Sequence, residues 1–515
     1  MADTTRTLIT LSLISHTNVG KTTLARTLLR RDVGEVLDQA HITDTNQAYT
    51  LIEHAGTELR LWDTPGFGDS ARLMRRLRAA EDDPLTWFIR QQWDRVTDRP
   101  LWCGQQAIAN IRDEADVVLY LVNAAEEPAD AGYIALELEL LGWIGRPVIL
   151  LLNQVGQAGE ALEARWRAFV EPWPVVRDVL ALDAFARCWT EETVMLERVA
   201  ALLEDERRGV MRSLITAWNE RNLVIFRRSA AAIAAYLTRA ALDLELAGAE
   251  SREATTTDDG AGGAPAGDGP LSGPRTTTPD AGHGSLRMFA DALRFAAVDK
   301  KRAMTALAAR LDVATRELVQ SLIAAHDLAG SSAARIEHRL LDFEVRRRMP
   351  LDEKSGAVAG AILSGALGGL VADAAIGFLS FGGGMVAGGL LGALGGSALG
   401  RGYRLVGGMQ EPSVRWSAPF LDLLTREAML RYLAVAHHGR GRGAFEDATR
   451  HAHWPEVCDR ALAPQRRTLR KAWTLAERSG SAAETRLRTE LERLLERALG
   501  TALGELHPRA RSLLR

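Results

Sequence analysis

An apolar run, Leu8–Ile14, leads into Ser15-His16-Thr17-Asn18-Val19-Gly20-Lys21-Thr22-Thr23, and the helical run Leu24–Leu29 follows. A strand, a loop closed by GKTT and a helix, in that order, form the phosphate-binding loop of nucleoside triphosphate sites. This order commits the first part of the chain to an α/β sheet with the loop at a strand's carboxyl end. Backbone N–H groups and the helix N-terminus wrap the phosphates, Lys21 bridges the β- and γ-phosphates, and Thr22 offers its hydroxyl to Mg2+. Ser15 stands where the pattern's first glycine usually stands. Ser15, Asn18, Val19, Gly20, Lys21, Thr22 and Thr23 are therefore the candidate nucleotide-binding residues of the loop.

A second element supports the first. Leu59-Arg60-Leu61-Trp62-Asp63-Thr64-Pro65-Gly66 ends a strand with an aspartate and places a glycine three residues on. Asp63 would hold Mg2+ through water, and the N–H of Gly66 would sense the γ-phosphate. Alone, DTPG is an ordinary turn; downstream of GKTT it becomes the second half of a hydrolytic site.

Short apolar runs at Leu8–Ile14, Leu59–Trp62, Val117–Val122, Val148–Leu152 and Val179–Leu182 alternate with amphipathic stretches. Strands interleaved with helices imply a mostly parallel sheet covered on both faces, an α/β P-loop domain over 1–205. The stretch Arg72–Arg112 reads as a helical insertion whose Trp87, Phe88, Trp93 and Trp102 pack locally. A helical connector (206–246) precedes 247–285, where Gly, Ala, Thr, Pro and Asp dominate and no core can be buried, so that stretch reads as a disordered insert. Helical periodicity resumes over 286–355, as one long helix or a hairpin of two. An apolar segment at 356–402 and a mainly helical region at 403–515, with a break at His437–Gly443 and a last helix from Ala482 to Leu503, complete the chain.

The formal net charge of -3 gives no chain-wide footprint for nucleic acid. Arg440, Arg442, Arg466, Arg467, Arg470 and Lys471 read as a solvated helical face rather than a phosphate-backbone contact. Lysine occurs only at Lys21, Lys300, Lys301, Lys354 and Lys471, so the lysine of the phosphate loop is one of few in an arginine-rich chain. Cys103, Cys188 and Cys458 form no CxxC pair, which indicates neither a disulfide framework nor a structural zinc site and fits a reducing cytoplasm. The N-terminus carries no signal-peptide pattern.

Residues Asn18 to Gly66 resemble the TrmE, Era and Der group of translation-factor-related GTPases through the NVGKTTL loop, RDVGEV at 31–36, Ala40-His41-Ile42-Thr43 and DTPGF. The resemblance implies that Thr43 completes the Mg2+ shell, with Thr45 as the alternative, and that Asn18 coordinates a K+ ion in place of an arginine finger. Phe67 follows Gly66 where Ras-like enzymes place a glutamine, which implies hydrolysis with water positioned by backbone and cation. The guanine-reading NKxD pattern is altered: the strand Val148–Leu152 ends in Asn153-Gln154-Val155-Gly156, without the aspartate. Losing that carboxylate costs about 1.5–3 kcal/mol of base contact, so guanine preference over adenine is left open. Asn153, Gln154, Asp183 and Ala184 are the candidates for the base edge, Asp183 as a replacement carboxylate. A closer resemblance, carried by SHTNVGKTTLARTLL, LWDTPGFGDSARL, DEADVVLYLVNAAE, LLNQ, LDAFARCW and RYLAVAH, is to proteobacterial proteins that join such a GTPase to a helical domain of unknown function.

Small residues recur every fourth position at Gly356, Gly360, Ser364, Gly368 and Ala372, and again at Gly384, Gly388, Gly392, Gly396 and Gly400. This is a glycine zipper, expected to pair two helices as a hairpin. Each half would reach about 25 Å at ~1.5 Å per residue, near the lower limit for a bilayer. Arg346, Arg347, Arg348 and Lys354 before it and Arg401 and Arg404 after it would keep both ends cytoplasmic. Two readings stand: a hairpin inserted in, or docked to, the inner membrane or a membrane protein, and a hairpin buried in a soluble core. The expected activity is GTP hydrolysis by a nucleotide switch using Mg2+ and K+. The alternatives are a ribosome- or RNA-assembly GTPase of the Era type, or a slow-hydrolysing scaffold. The sequence leaves the oligomeric state open, a nucleotide-dependent dimer included.

Overall fold

The computed structural model describes residues 7–16, 19–29, 46–79, 84–89, 98–153, 159–182, 188–246, 283–328, 403–406, 413–438 and 453–514. The expectations placed on Asn18, Thr43, Thr45, Gln154, Asp183, Ala184, Trp93, the side chains of Trp87 and Phe88, and the glycine zipper lie outside the described residues.

Six strands form one sheet in the order β2-β3-β1-β4-β5-β6, from β1 (Thr7–Ser15), β2 (Gln47–His54), β3 (Thr57–Asp63), β4 (Val117–Asn123), β5 (Val148–Asn153) and β6 (Val176–Ala181). All neighbours are parallel except the edge strand β2, which returns antiparallel on β3. The expected buried strands are present. β2 was not anticipated, because most of its residues are exposed and it lacks a continuous apolar run.

The two-residue period of a strand sorts its side chains between two cores. Ile9, Leu11 and Leu13 of β1, Leu119 and Leu121 of β4, and Ile149 and Leu151 of β5 lie in one core with α1 (Lys21–Leu29) and α7 (Trp189–Leu202). Ile14, Val118, Tyr120, Val122, Leu150 and Leu152 face the other. That second core is closed by α2 (Ser70–Arg78), α4 (Arg99–Glu114), α5 (Gly132–Ile144) and α6 (Gly159–Val170), with the short α3 (Pro84–Ile89) beside them. Burial on both faces is why these strands read as continuous apolar runs.

Helix α8 (Asp205–Leu242) has 38 residues and spans about 57 Å at ~1.5 Å per residue. Met211, Leu214, Ile215 and Trp218 of its first half belong to the sheet core, and Phe226, Ala230, Ile233, Ala234, Leu237 and Ala241 belong to a third core. One helix thus serves both halves. The third core adds α9 (His283–Ala325), α10 (Ala418–Ala436), α11 (Trp454–Leu462), α12 (Arg466–Ser479) and α13 (Glu484–Leu506). The helix expected from Leu286 starts at His283 and is continuous to Ala325. Arg466, Arg467, Arg470 and Lys471 are exposed on α12, as a solvated face requires.

The helical region also holds a small antiparallel sheet, β7-β9-β8, from β7 (Leu244–Leu246), β8 (Tyr403–Val406) and β9 (Ser413–Trp416). It joins the end of α8 to the residues leading into α10, and strands this short leave no periodic signal. Among the described residues, no helix is long and apolar enough to cross a membrane.

The two halves meet along α7 and the final 3-10 segment, Pro508–Leu514. Cys188, His437 and His507 come together at this junction. Burial alone would raise the Cys188 thiol, yet the neighbouring His507 and His437 bring it down to about 6. Burial would lower His507, yet Cys188 and Glu191 hold it well above the ordinary histidine range.

Candidate nucleotide site

The phosphate loop leaves β1 at Ser15, whose hydroxyl donates to the His16 carbonyl at 2.6 Å. It enters α1 at Gly20, whose carbonyl accepts from Leu24 N–H at 2.9 Å. Gly20 has φ +99°, and a Cβ there would stand 2.8 Å from Asn153 Nδ2. Glycine is thus required twice, for its dihedral and for the close approach.

Lys21, Thr22 and Asp63 converge across the β1–β3 pair. Lys21 Nζ donates to Asp63 Oδ1 at 2.6 Å, and Thr22 Oγ1 donates to Asp63 Oδ2 at 3.4 Å. Asp63 is 2% exposed and Lys21 8%, so the pair is strong and its charges are poorly screened. Parallel pairing that sets Leu13 opposite Asp63 places the carboxylate beside the loop. Thr64 continues the register by donating both its N–H and its hydroxyl to the Leu13 carbonyl, at 3.4 and 2.9 Å. A hydroxyl and a carboxylate are hard oxygen donors of the kind Mg2+ takes.

After Asp63 the chain passes through Pro65 and Gly66 to Phe67, which is 1% exposed in the core beneath α2 and α4. An aromatic ring turned inward cannot hold a water, in keeping with a site that has no glutamine there. Gly68 takes φ +65° and Asp69 caps α2, accepting from Arg72 N–H at 2.9 Å.

Asn153, expected at the base edge, is fully buried at the end of β5, and its Nδ2 donates to the Val19 carbonyl at 2.8 Å. Val19 is buried beside it. The asparagine therefore ties the sheet to the phosphate loop.

Sequence reasoning missed Glu137. This α5 carboxylate is fully buried and collects His16 Nδ1 at 2.7 Å, Tyr120 OH at 2.6 Å and the Ser70 hydroxyl. His16 also stacks on Tyr133 with centroids 4.0 Å apart. One side chain thus binds the phosphate loop, the start of α2 and β4. Burial and the Glu137 charge push the Tyr120 hydroxyl well above its ordinary range, so it remains a donor. The available signal was a carboxylate on the apolar stripe of Ile134, Leu138 and Leu141.

Residues 10–154 match the family described as 50S ribosome-binding GTPase, and residues 286–501 match a domain of unknown function, DUF3482. No curated protein sequence matches the chain. Among solved structures, an Aquifex aeolicus Era variant bound to GDP and AlF4- aligns at 19% identity, over 35% of this chain and 52% of that one, with a TM-score of 0.25. Era in complex with MgGDPNP and a 16S ribosomal RNA fragment aligns at 17%, over 35% and 51%, with a TM-score of 0.25. NFeoB from S. thermophilus bound to GDP, AlF4- and K+ aligns at 13%, over 41% and 90%, with a TM-score of 0.22. The chain spans about half the length of the Era structures it matches.

Proposed function

We propose, from the premise that this chain joins a P-loop GTPase domain to a C-terminal domain of unknown function, that it is a Mg2+-dependent nucleotide switch whose helical region carries the output. The convergence of Lys21 and Thr22 on Asp63 supports this reading most directly. Lys21 would leave Asp63 for the β- and γ-phosphates, with Thr22, Thr43 and Asp63 holding the ion. Mg2+ supplies charge neutralisation of the phosphates when bound. Gly66 N–H would face the γ-phosphate, the loop residues from Ser15 to Thr23 would cradle the chain of phosphates, and Asn18 would hold K+. Gln154, Asp183 and Ala184 would meet the base.

Lys21→Ala should abolish binding of a fluorescent GTP analogue and phosphate release; turnover at the parent rate would remove the site. Exchange of K+ for Na+ should slow hydrolysis if Asn18 acts as stated, and equal rates would remove that role. Asp183→Ala should lower the preference for GTP over ATP.

The finer reading is that residues 356–402 engage the inner membrane or a membrane protein from the cytoplasmic side, on the strength of the glycine zipper and its basic flanks. Flotation of the full chain and of a deletion lacking 356–400 with liposomes, in GDP and in a nonhydrolysable GTP analogue, tests it. Flotation lost on deletion supports the membrane reading. Co-sedimentation with ribosomes instead would favour an RNA-assembly role.

A further inference from the structure

Three side chains that the nucleotide site does not use converge where the helical region meets the GTPase domain. Cys188 caps the N-terminus of α7, while His437 and His507 cap the C-termini of α10 and α13. Their ligating atoms all lie within 4.8 Å of one another. Cys188 is 1% exposed, and the His507 side chain 11%.

The placement of protons distinguishes this group from an ordinary polar cluster. His437 Nδ1 faces the Leu433 carbonyl at 2.8 Å, a group that can only accept, so this nitrogen carries the proton. His507 Nδ1 faces Glu191 Oε1 at 3.1 Å and carries its proton for the same reason. In the neutral rings both Nε2 atoms then bear lone pairs, and they face each other at 2.8 Å. Two lone pairs so close repel unless a cation or a proton lies between them. The Cys188 sulfur supplies a third donor, with the Thr190 hydroxyl 2.8 Å away to support a thiolate. The helix ends agree with this placement of charge: α7 offers its positive end to the sulfur, and α10 and α13 bring their negative ends to the cation.

We propose that Cys188 Sγ, His437 Nε2 and His507 Nε2 bind one divalent transition-metal ion of the zinc class, which clamps the GTPase domain to the helical region. Two imidazoles and a thiolate suit Zn2+, with water in the fourth position. Leu433 and Glu191 are the outer partners that fix ring orientation. Binding releases to solvent the one proton that the sulfur and the two facing Nε2 atoms hold between them, and moves no electrons. The cysteine lies just after residues 183–187 in sequence, so the clamp anchors the chain next to the stretch expected at the base.

The test strips the full-length protein with a chelator and titrates it with Co2+, then Zn2+. One equivalent of Co2+ should give tetrahedral ligand-field bands and a thiolate-to-cobalt charge-transfer band, both displaced by Zn2+. X-ray absorption of the zinc form should show one sulfur at about 2.3 Å with nitrogen or oxygen at about 2.0–2.1 Å. Cys188→Ser should remove the charge-transfer band, and Glu191→Ala should weaken zinc binding by about 10–100-fold. If the cysteine variant does not fold, the wild-type spectrum and absorption edge decide alone. No thiolate band, uptake well below one equivalent, or thiolate absorbance without metal uptake would overturn the site. Co2+ held by oxygen at Thr22 and Asp63 gives no thiolate band, so the nucleotide site and this one fail separately.

Discussion

Arg509, in the first turn of the final 3-10 segment, grips both carboxylate oxygens of Glu163 on α6 at 2.8 Å each, 346 residues away in sequence. Glu163 is 3% exposed and also accepts the Ala181 N–H at 2.9 Å. The C-terminal end is thereby fastened to the edge of the GTPase sheet, two residues after His507. Burial alone would raise the Glu163 carboxyl, but the Arg509 hydrogen bonds, the Ala181 N–H and the charges of Arg509 and Arg167 bring it below its ordinary value. A carboxyl held low contributes stability that is complete above its unfolded value, near 4.5, and is lost as pH falls through the folded one. Arg509→Ala should cost about 1–2 kcal/mol at neutral pH, reduced by the exposure of the arginine. Urea midpoints of variant and parent should converge as pH falls below the lowered folded value of the Glu163 carboxyl, where it is protonated in both states. An unchanged gap at acid pH would refute the pairing.

Glu137 should prove the most sensitive carboxylate of the GTPase domain outside the phosphate site. Glu137→Gln replaces an acceptor of three hydrogen bonds with a group that must turn a donor towards His16, Ser70 or Tyr120. The expected loss is about 2–3 kcal/mol, against about 1 kcal/mol for Tyr120→Phe. A double-mutant cycle on thermal denaturation should give a non-zero coupling for Glu137 with Tyr120. Because the same carboxylate holds the loop and α2, nucleotide release should change in Glu137→Gln and not in Tyr120→Phe.

Much of this arrangement was readable in the sequence, and the unread parts have physical reasons. The central strands declared themselves because both faces are buried, and GKTT with DTPG pointed to Lys21, Thr22 and Asp63, which the fold brings together. β2 was silent because its exposed residues break the apolar run, and β7 to β9 because three or four residues cannot show a period. Glu137 was hidden by lying within a leucine-rich helix. Cys188, His437 and His507 share no motif spacing, since the fold brings them together from three helix ends. The lack of a CxxC pair therefore says nothing of a site assembled this way.

The contact between Gly20 and Asn153 separates two causes of one failure. Gly20→Ala should impair folding or nucleotide binding both because φ is +99° and because its Cβ would stand 2.8 Å from Asn153 Nδ2. Asn153→Ala removes that neighbour and the bond to Val19, at a cost of about 1–2 kcal/mol. The double variant keeps the dihedral strain, about 1–2 kcal/mol, and the lost bond to Val19, but not the clash. It should therefore be destabilised by less than the sum of the single variants in denaturant titrations. Additive losses would mean that the steric contact does not matter.

Helix α8 makes the sharpest claim about the whole molecule. Trp218 is buried in the sheet core and Phe226 in the helical core, and between them Val224 is 44% exposed. No core contact has to be lost when Val224 is replaced, so a substitution there acts on the backbone that links the two halves. Val224→Ala should be near neutral or slightly stabilising, since alanine is the better helix former, whereas Val224→Pro should cost about 3 kcal/mol or more. If the continuous helix transmits cooperativity, the proline variant should unfold in two calorimetric steps where the alanine variant unfolds in one. GTP analogue would then raise only the step belonging to the sheet domain, because ligand stabilises only the unit that binds it. A single step in the proline variant would show that the junction at Glu163, Cys188 and Glu191 couples the halves without the helix.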